Sequence, residues 1–284
     1  MASHQIRIEP ASLDVSIVIP VYNEELNVEA LAGEISGTMR GAGRSWECVW
    51  VDDGSTDRTF EKLVGVHDAH PHHEYLQMDS HRGQSAALAA GFSHSRGRYI
   101  ATLDGDGQSD PADVVRLLTH LVENELDLVN GRRERRRDNL VRKISSRIAN
   151  TFRNAVTGDR VTDVGCSLRV FRRESVDGLL VFKGMHRFLP TLIKMNGYQR
   201  VVELPVRHRP RLYGWTKYGI SNRLWVGIAD TLAIRWMKHR MTVSRVRASS
   251  MDTSLQAGNW PEASYDESRS KGPGERPAPT KMGD

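Results

Sequence analysis

Five short β-rich runs, Val15–Pro20, Glu47–Asp52, Tyr75–Met78, Tyr99–Leu103 and Asp127–Asn130, alternate with helical patterns through the first half of the chain. That rhythm predicts βαβ units and a mainly parallel, twisted sheet flanked by helices, an α/β fold. Between the first two runs Val28, Leu31, Ile35 and Met39 recur at helical spacing, so one helix carries an apolar face to lay on the sheet. Gln84–Phe92 is alanine-rich and small all round, which lets a helix lie close to the strands. Asp110-Pro111 followed by Val114, Leu117, Leu118 and Leu121 starts another helix with proline in its first turn. A further strand-like pair, Leu168–Phe171 and Val201–Leu204, precedes a last helix from about Ser221 to Met241.

Polar residues gather where the strands end. Tyr99-Ile-Ala-Thr-Leu-Asp104-Gly-Asp106-Gly-Gln108 sets two carboxylates just past a hydrophobic strand, at the sheet edge where open α/β folds bind ligands. Carboxylates alternating with glycine turn toward one point, where a hard divalent cation can bridge to a diphosphate and stabilise it as a leaving group. Taken alone, an acidic turn that merely ends a strand and caps the next helix fits equally well. A second acidic loop, Asp52-Asp53-Gly54-Ser55-Thr56-Asp57, ends an earlier strand and favours one shared site. Asp52 or Asp53 would accept hydrogen bonds from a base or ribose, and Ser55 would cap the following helix. A third strand end, Pro20-Val21-Tyr22-Asn23-Glu24, offers Glu24 to a nucleoside and Tyr22 for stacking.

Together Val21-Tyr-Asn-Glu24, Asp52-Asp-Gly-Ser-Thr-Asp57, Gly83-Gln-Ser-Ala-Ala87, Asp104-Gly-Asp-Gly-Gln108 and Gly131-Arg132 resemble, in order, the motifs of family 2 glycosyltransferases of the GT-A fold. Within that family the chain resembles the dolichol-phosphate or polyprenyl-phosphate sugar synthases. The resemblance covers about residues 14 to 220. It implies that Pro20, Tyr22, Glu24, Asp52 and Asp53 line the nucleotide pocket with Gln84 nearby, and that Asp104, Asp106 and Gln108 hold Mg²⁺ or Mn²⁺. It also implies that Arg132, with either Arg142 or Arg147, faces the diphosphate and the acceptor phosphate, and that transfer inverts the sugar. Asp163-Val-Gly-Cys166-Ser-Leu-Arg169, Gly184-Met-His186-Arg187 and Arg209-Pro-Arg211 through Lys217-Tyr218 are similar to segments of the polyprenyl-phosphate subgroup. Arg211 and Lys217 are candidates to clamp the leaving diphosphate. Cys166 stands where glycine or serine is more usual in these relatives.

The acceptor is read from what is missing as well as what is present. A sugar hydroxyl needs a general base, commonly a carboxylate, whereas a phosphate monoester is already an anionic nucleophile. The region around His186 offers no acidic pair, so a polyprenyl phosphate is the expected acceptor; transfer to a glycan hydroxyl, with Asp163 as base, is the alternative. The formal charge of +5 concentrates in Arg132, Arg133, Arg135, Arg136, Arg137, Arg142, Lys143 and Arg147. This insertion, 131–160, lacks interleaved aromatic residues and leaves the acidic loops unexplained under a nucleic-acid reading, so no specific nucleic acid is expected. Arg133 and Arg135–Arg137 read equally as a solvated loop.

The expected organisation is an extension over 1–13, a catalytic domain over 14–220, an amphipathic helix over 221–248 and a disordered tail over 249–284, which has scarcely a core residue. Trp225, Ile228, Ala229, Leu232 and Trp236 form a stripe suited either to core packing or to an interfacial helix. No run approaches the ~18 to 20 apolar residues that span a bilayer. The polar stretch Met1–Asp14 lacks a signal-peptide core, and two well-separated cysteines suit a reducing compartment. The expectation is a cytoplasmic protein, peripheral at the inner membrane face, held there by its own basic and aromatic surface or by a small membrane partner.

Overall fold

Leu13–Val21 (β1) is buried along most of its length on both faces, as a central parallel strand flanked by helices must be. It pairs in parallel with β2 (Trp46–Asp52) and β4 (Gly97–Thr102), and β2 pairs in parallel with β3 (His73–Gln77). The sheet continues through β6 (Arg169–Arg172) to β5 (Leu128–Arg133) and β7 (Val201–Val206), giving the order β3-β2-β1-β4-β6-β5-β7. All seven strands fall within a few residues of the runs predicted from sequence. β6 alone runs antiparallel, to both β4 and β5. The computed structural model describes residues 11–134, 150–159, 161–211 and 223–241. Residues 1–10 of the predicted extension and the whole predicted tail lie outside them, and Leu13, placed in the extension, opens β1.

Helices cover both faces. On one, α1 (Val28–Arg40), α2 (Thr59–Ala69) and α4 (Pro111–Glu123) bury Leu31, Ile35, Leu63, Leu117 and Leu121 against β1, β2 and β4. On the other lie α3 (Gln84–His94), α6 (Leu189–Met195) and Ile234 of α7 (Arg223–Arg240). The small residues of α3 do allow close approach: a Cβ on Gly91 would sit 2.3 Å from Val18 Cγ1. α4 begins as its sequence predicts, with the Asp110 carboxylate accepting the Ala112 N–H at 3.0 Å and Pro111 in the first turn.

α7 departs from the core-packing expectation. Among its residues 227–240 Thr231 and Ile234 are buried, whereas Leu232 and Trp236 are 52% and 64% exposed. Residues 150–157 are helical (α5), and their last carbonyls are capped from α7: Arg235 Nη1 donates to Val156 O at 2.8 Å and Lys238 Nζ to Thr157 O at 2.7 Å. Part of the basic cluster on α7 therefore serves as a helix cap. Cys48 and Cys166 are free and buried.

Candidate active site

β1 lies between β2 and β4, so the chain leaves β1 in opposite directions across the sheet and opens a crevice at the strands' carboxyl ends. The loop after β1 is laced to the loop after β2. Asn23, at φ +51, donates its N–H to Ser55 Oγ at 2.9 Å; the Thr56 N–H returns to Asn23 Oδ1 at 2.7 Å, and the Glu24 N–H donates to Thr59 Oγ1 at 2.8 Å. Ser55 therefore joins two loops instead of capping a helix: α2 starts four residues later, where Asp57 Oδ1 accepts the Thr59 N–H at 3.0 Å. Gly54 adopts φ +70, and a Cβ there would lie 2.7 Å from the His81 backbone N, so only glycine fits.

The two aspartates of this loop take different parts. Asp52 is fully buried; Oδ1 accepts the Ser55 N–H at 3.1 Å, while Oδ2 has no partner. A buried carboxylate oxygen left unsatisfied is an acceptor waiting for a donor, which suits a nucleoside N–H or O–H. Asp53 instead spends Oδ1 on the Arg82 N–H and Oδ2 on the Gly83 N–H, both at 2.8 Å, with His81 Nδ1 2.9 Å from Oδ2. These bonds position the turn into α3. His81, which sequence reading passed over, stacks on Tyr22 with centroids 4.1 Å apart. It lies on one face of the Tyr22 ring, the ring expected to receive a base. Pro20 stays in register with Val51 near the mouth of the crevice.

Gly105 brings the acidic turn after β4 against β1, where a Cβ would meet Val21 Cγ1 at 2.5 Å. Burial, followed by the like charge of Asp106, pushes the Asp104 carboxyl up to about 6, against the opposing pull of Ser167, Arg169 and Arg133. Gln84 Nε2 donates to Asp104 Oδ1 at 2.9 Å. Gln108 Nε2 donates to Arg209 O at 3.2 Å and its backbone N–H to Asp106 Oδ1 at 3.1 Å. Gln84 thus adds an amide beside Asp104, and Gln108 joins the acidic turn to the 207–211 segment. From that segment Arg211 Nη2 reaches Asp106 Oδ2 at 3.1 Å and Glu24 Oε1 at 3.4 Å.

On the β5 side the neighbours Arg132 and Arg133 diverge. Arg132 is exposed. Arg133, read from sequence as possible solvated loop, forms a two-pronged pair with Asp163, Nε to Oδ2 and Nη2 to Oδ1 at 2.8 Å each, and is 15% exposed. Asp163 is therefore the seat of an arginine. Cys166 packs over Gly131, whose missing Cβ would stand 2.9 Å from its Sγ, so the glycine makes room for the larger side chain at that turn. Buried Arg169 ties β6 to Asn130 Oδ1, Val164 O and His186 O, and His186 Nδ1 lies 2.9 Å from Ser85 Oγ, one residue from Gln84. His186 is thus held structurally. Arg142, Arg147 and Lys217 lie outside the described residues.

Residues 16–180 match the sequence profile described as Glycosyl transferase family 2. The chain belongs to that family. A dodecaprenyl-phosphate galacturonate synthase of Rhizobium johnstonii is 38% identical over 228 residues, 78% of this chain and 67% of that protein. An undecaprenyl-phosphate 4-deoxy-4-formamido-L-arabinose transferase of Salmonella paratyphi A is 37% identical over 205 residues, 72% of this chain and 62% of that protein. The chain thus spans about two thirds of the length of these relatives. A mannosyltransferase from Pyrobaculum calidifontis, solved with GDP-Man and Mn²⁺, superposes with a TM-score of 0.55 at 20% identity over 82% of this chain and 67% of that one. The fold of this family 2 glycosyltransferase is accordingly GT-A.

The acidic turn fits a divalent cation of the kind that relies on its substrate for ligands. Among the described residues no cluster of three or more His, Cys, Asp or Glu side chains makes a closed metal cage. Asp104 and Asp106 do crowd each other, and the structure already places a cation, the Arg211 guanidinium, on Asp106. One or two carboxylates completed by phosphate oxygens and water is the arrangement Mg²⁺ commonly takes.

Proposed function

We propose that this glycosyltransferase moves one sugar from a nucleoside-diphosphate donor to the phosphate of a polyprenyl phosphate, with inversion at the sugar carbon. One observation carries the choice of acceptor. Asp163, the carboxylate that a hydroxyl acceptor would need as base, is buried, and both of its oxygens are engaged in a two-pronged ion pair with Arg133. An acceptor that arrives as a phosphate anion needs no such base. The names of the two relatives point the same way.

In this reading Asp52 Oδ2 receives a donor group of the nucleoside, and Asp104 and Asp106 would hold the cation, Mg²⁺ or Mn²⁺. When bound, the cation supplies Lewis-acid stabilisation of the departing nucleoside diphosphate. A phosphate oxygen of the acceptor attacks the anomeric carbon from the face opposite the diphosphate; the new C–O bond forms as the old one breaks, and its electron pair leaves with the nucleoside diphosphate. Gln84 orients Asp104. Arg132, exposed at the end of β5, is available to phosphate from solvent. Arg142, Arg147 and Lys217 are further candidates to hold phosphate. A lipid acceptor also requires that the protein work at a membrane face, by peripheral contact or through a membrane partner, since no helix among the described residues is long and apolar enough to cross a bilayer.

A panel of UDP- and GDP-sugars, incubated with undecaprenyl phosphate and Mg²⁺ or Mn²⁺, tests this reading. The expected product is a polyprenyl phosphosugar, absent with EDTA and absent when the free polyprenol replaces its phosphate. Transfer to a glycan hydroxyl in the absence of any lipid phosphate would sink it.

A further inference from the structure

Arg211 is not placed as a simple phosphate clamp would be. Its Nη2 sits between two acidic loops, 3.1 Å from Asp106 Oδ2 and 3.4 Å from Glu24 Oε1. The three side chains are 24%, 13% and 10% exposed, in the order Arg211, Asp106, Glu24, so solvent screens these pairs less than a surface pair. A divalent cation binds carboxylate oxygens at about 2.0–2.6 Å. A guanidinium on the same Asp106 oxygen would then face the metal charge at close range. The two cations compete for one seat.

The backbone around Arg211 makes the exchange local. Ser109 and His208 form a β-bridge, and the Arg209 N–H donates to Gln108 O at 2.8 Å. Arg209 is further held by Glu34 and Asp110 at 2.9 and 3.2 Å. This stretch is therefore stitched to the acidic turn itself, two residues from Arg211 on one side and two from Asp106 on the other. A swing of the arginine side chain suffices to leave Asp106 while staying within reach of anything bound there. A diphosphate offers the geometry that a guanidinium grips best, through paired N–H donors.

We propose that Arg211 holds the cation's place on Asp106 in the free protein and exchanges Asp106 for the donor's diphosphate when metal and donor bind. The inference rests on the reading of Asp104 and Asp106 as the metal carboxylates and goes beyond it by fixing an order. The free protein takes up metal weakly, because the metal must displace the Arg211 guanidinium from Asp106. With a nucleoside diphosphate present the displaced arginine exchanges Asp106 for paired phosphate acceptors, and metal and nucleotide strengthen each other's binding by the same factor.

The test reads binding, not turnover. Mn²⁺ titrations by calorimetry, without nucleotide and with UDP or GDP as probe, are compared for wild type, R211A, R211K and D106N, each shown to be folded by circular dichroism. R211A is expected to bind Mn²⁺ alone about tenfold more tightly than wild type, as removal of a partly buried competing charge allows. The same variant should bind the diphosphate more weakly in saturating Mn²⁺, so the mutual strengthening shrinks. R211K, which keeps the charge, should stay near wild type for Mn²⁺ alone. If R211A binds Mn²⁺ alone no better than wild type while D106N abolishes Mn²⁺ binding, the exchange is wrong and the metal site stands. If D106N leaves Mn²⁺ binding with nucleotide unchanged, the metal site itself is wrong and the exchange falls with it.

Discussion

Arg132 and Arg133 show what one position along a strand decides. Both arginines follow Gly131, and from sequence the second has no better claim to solvent than the first. The side-chain alternation of a strand sends one out and one in, but which is which depends on phase, and β5 is buried on both faces through Leu128–Gly131, so its residue pattern carries no phase signal. The structure settles it through Asp163. Removing one partner of a buried ion pair strands the other charge, at a cost of about 3–5 kcal/mol. Arg133→Ala should therefore lower the urea midpoint substantially, while Arg132→Ala, on an exposed side chain, should change stability by less than about 0.5 kcal/mol. If both variants unfold alike, the inward assignment of Arg133 is mistaken. Asp53 teaches the same lesson, since nothing in Asp52-Asp53 foretells that one oxygen of the first stays unpartnered while both of the second are consumed by the turn before α3.

Elements were more legible than their directions. Each strand of the sheet announces itself by a short β-rich run, and α1 and α4 by apolar residues at helical spacing. The antiparallel sense of β6 was not legible, because Leu168–Phe171 identifies a strand without saying which neighbours it will find. α6, seven residues with Pro190 at its start, is too short to show a period. The junction of β3, β2 and α1 was equally hidden, and it yields a pH prediction. His73 opens β3 and lies 2.8 Å from Ser36 Oγ through Nε2 and 3.0 Å from Trp50 Nε1 through Nδ1. Indole N–H only donates, so Nδ1 accepts and the proton sits on Nε2, facing Ser36. A second proton on Nδ1 would oppose the indole N–H. Burial, with His70 and His72 adding their charges, pulls His73 down to about 4 from the usual 6.5. A histidine depressed on folding contributes its stability above the unfolded value and loses it as pH falls toward the folded one. Stability should thus fall between pH 6.5 and 4, by up to about 3 kcal/mol from this residue. His73→Asn should be less stable at neutral pH yet flatter across that window. Urea midpoints that follow the same pH slope in variant and wild type would show that another group is responsible.

At the scale of the whole molecule, a catalytic crevice faces one sheet edge while α5 and α7 offer a second surface of mixed character. Phe152, Leu232 and Trp236 are 41%, 52% and 64% exposed on two helices joined by the Arg235 and Lys238 caps. His239 and Arg240 lie exposed at the end of α7. The apolar spacing of α7 was visible in the sequence, but whether it would face core or solvent was not, because a stripe has no sign until its neighbours are known. The middle of α7 sits close to the active centre: a Cβ on Gly184 would meet Asp230 Oδ2 at 3.0 Å, and the Gly184 N–H donates to Ser85 Oγ at 3.1 Å, beside Gln84. A surface of this kind on a helix so placed suits the presentation of a lipid phosphate to the crevice. Insertion of half-exposed Leu and Trp side chains at the headgroup boundary is worth on the order of 1 kcal/mol each, and each basic residue near an anionic surface adds about 1 kcal/mol within a Debye length. The protein should therefore float with liposomes that contain anionic lipid, release as salt is raised, and bind neutral liposomes poorly. Leu232→Ala with Trp236→Ala should weaken binding by about tenfold or more, since 1.4 kcal/mol is a factor of ten, without altering the urea midpoint, because neither side chain is buried. Equal flotation of this double variant and wild type would remove α7 from the membrane contact, and no flotation of the wild type on anionic liposomes would leave recruitment by a membrane partner as its route to a lipid acceptor.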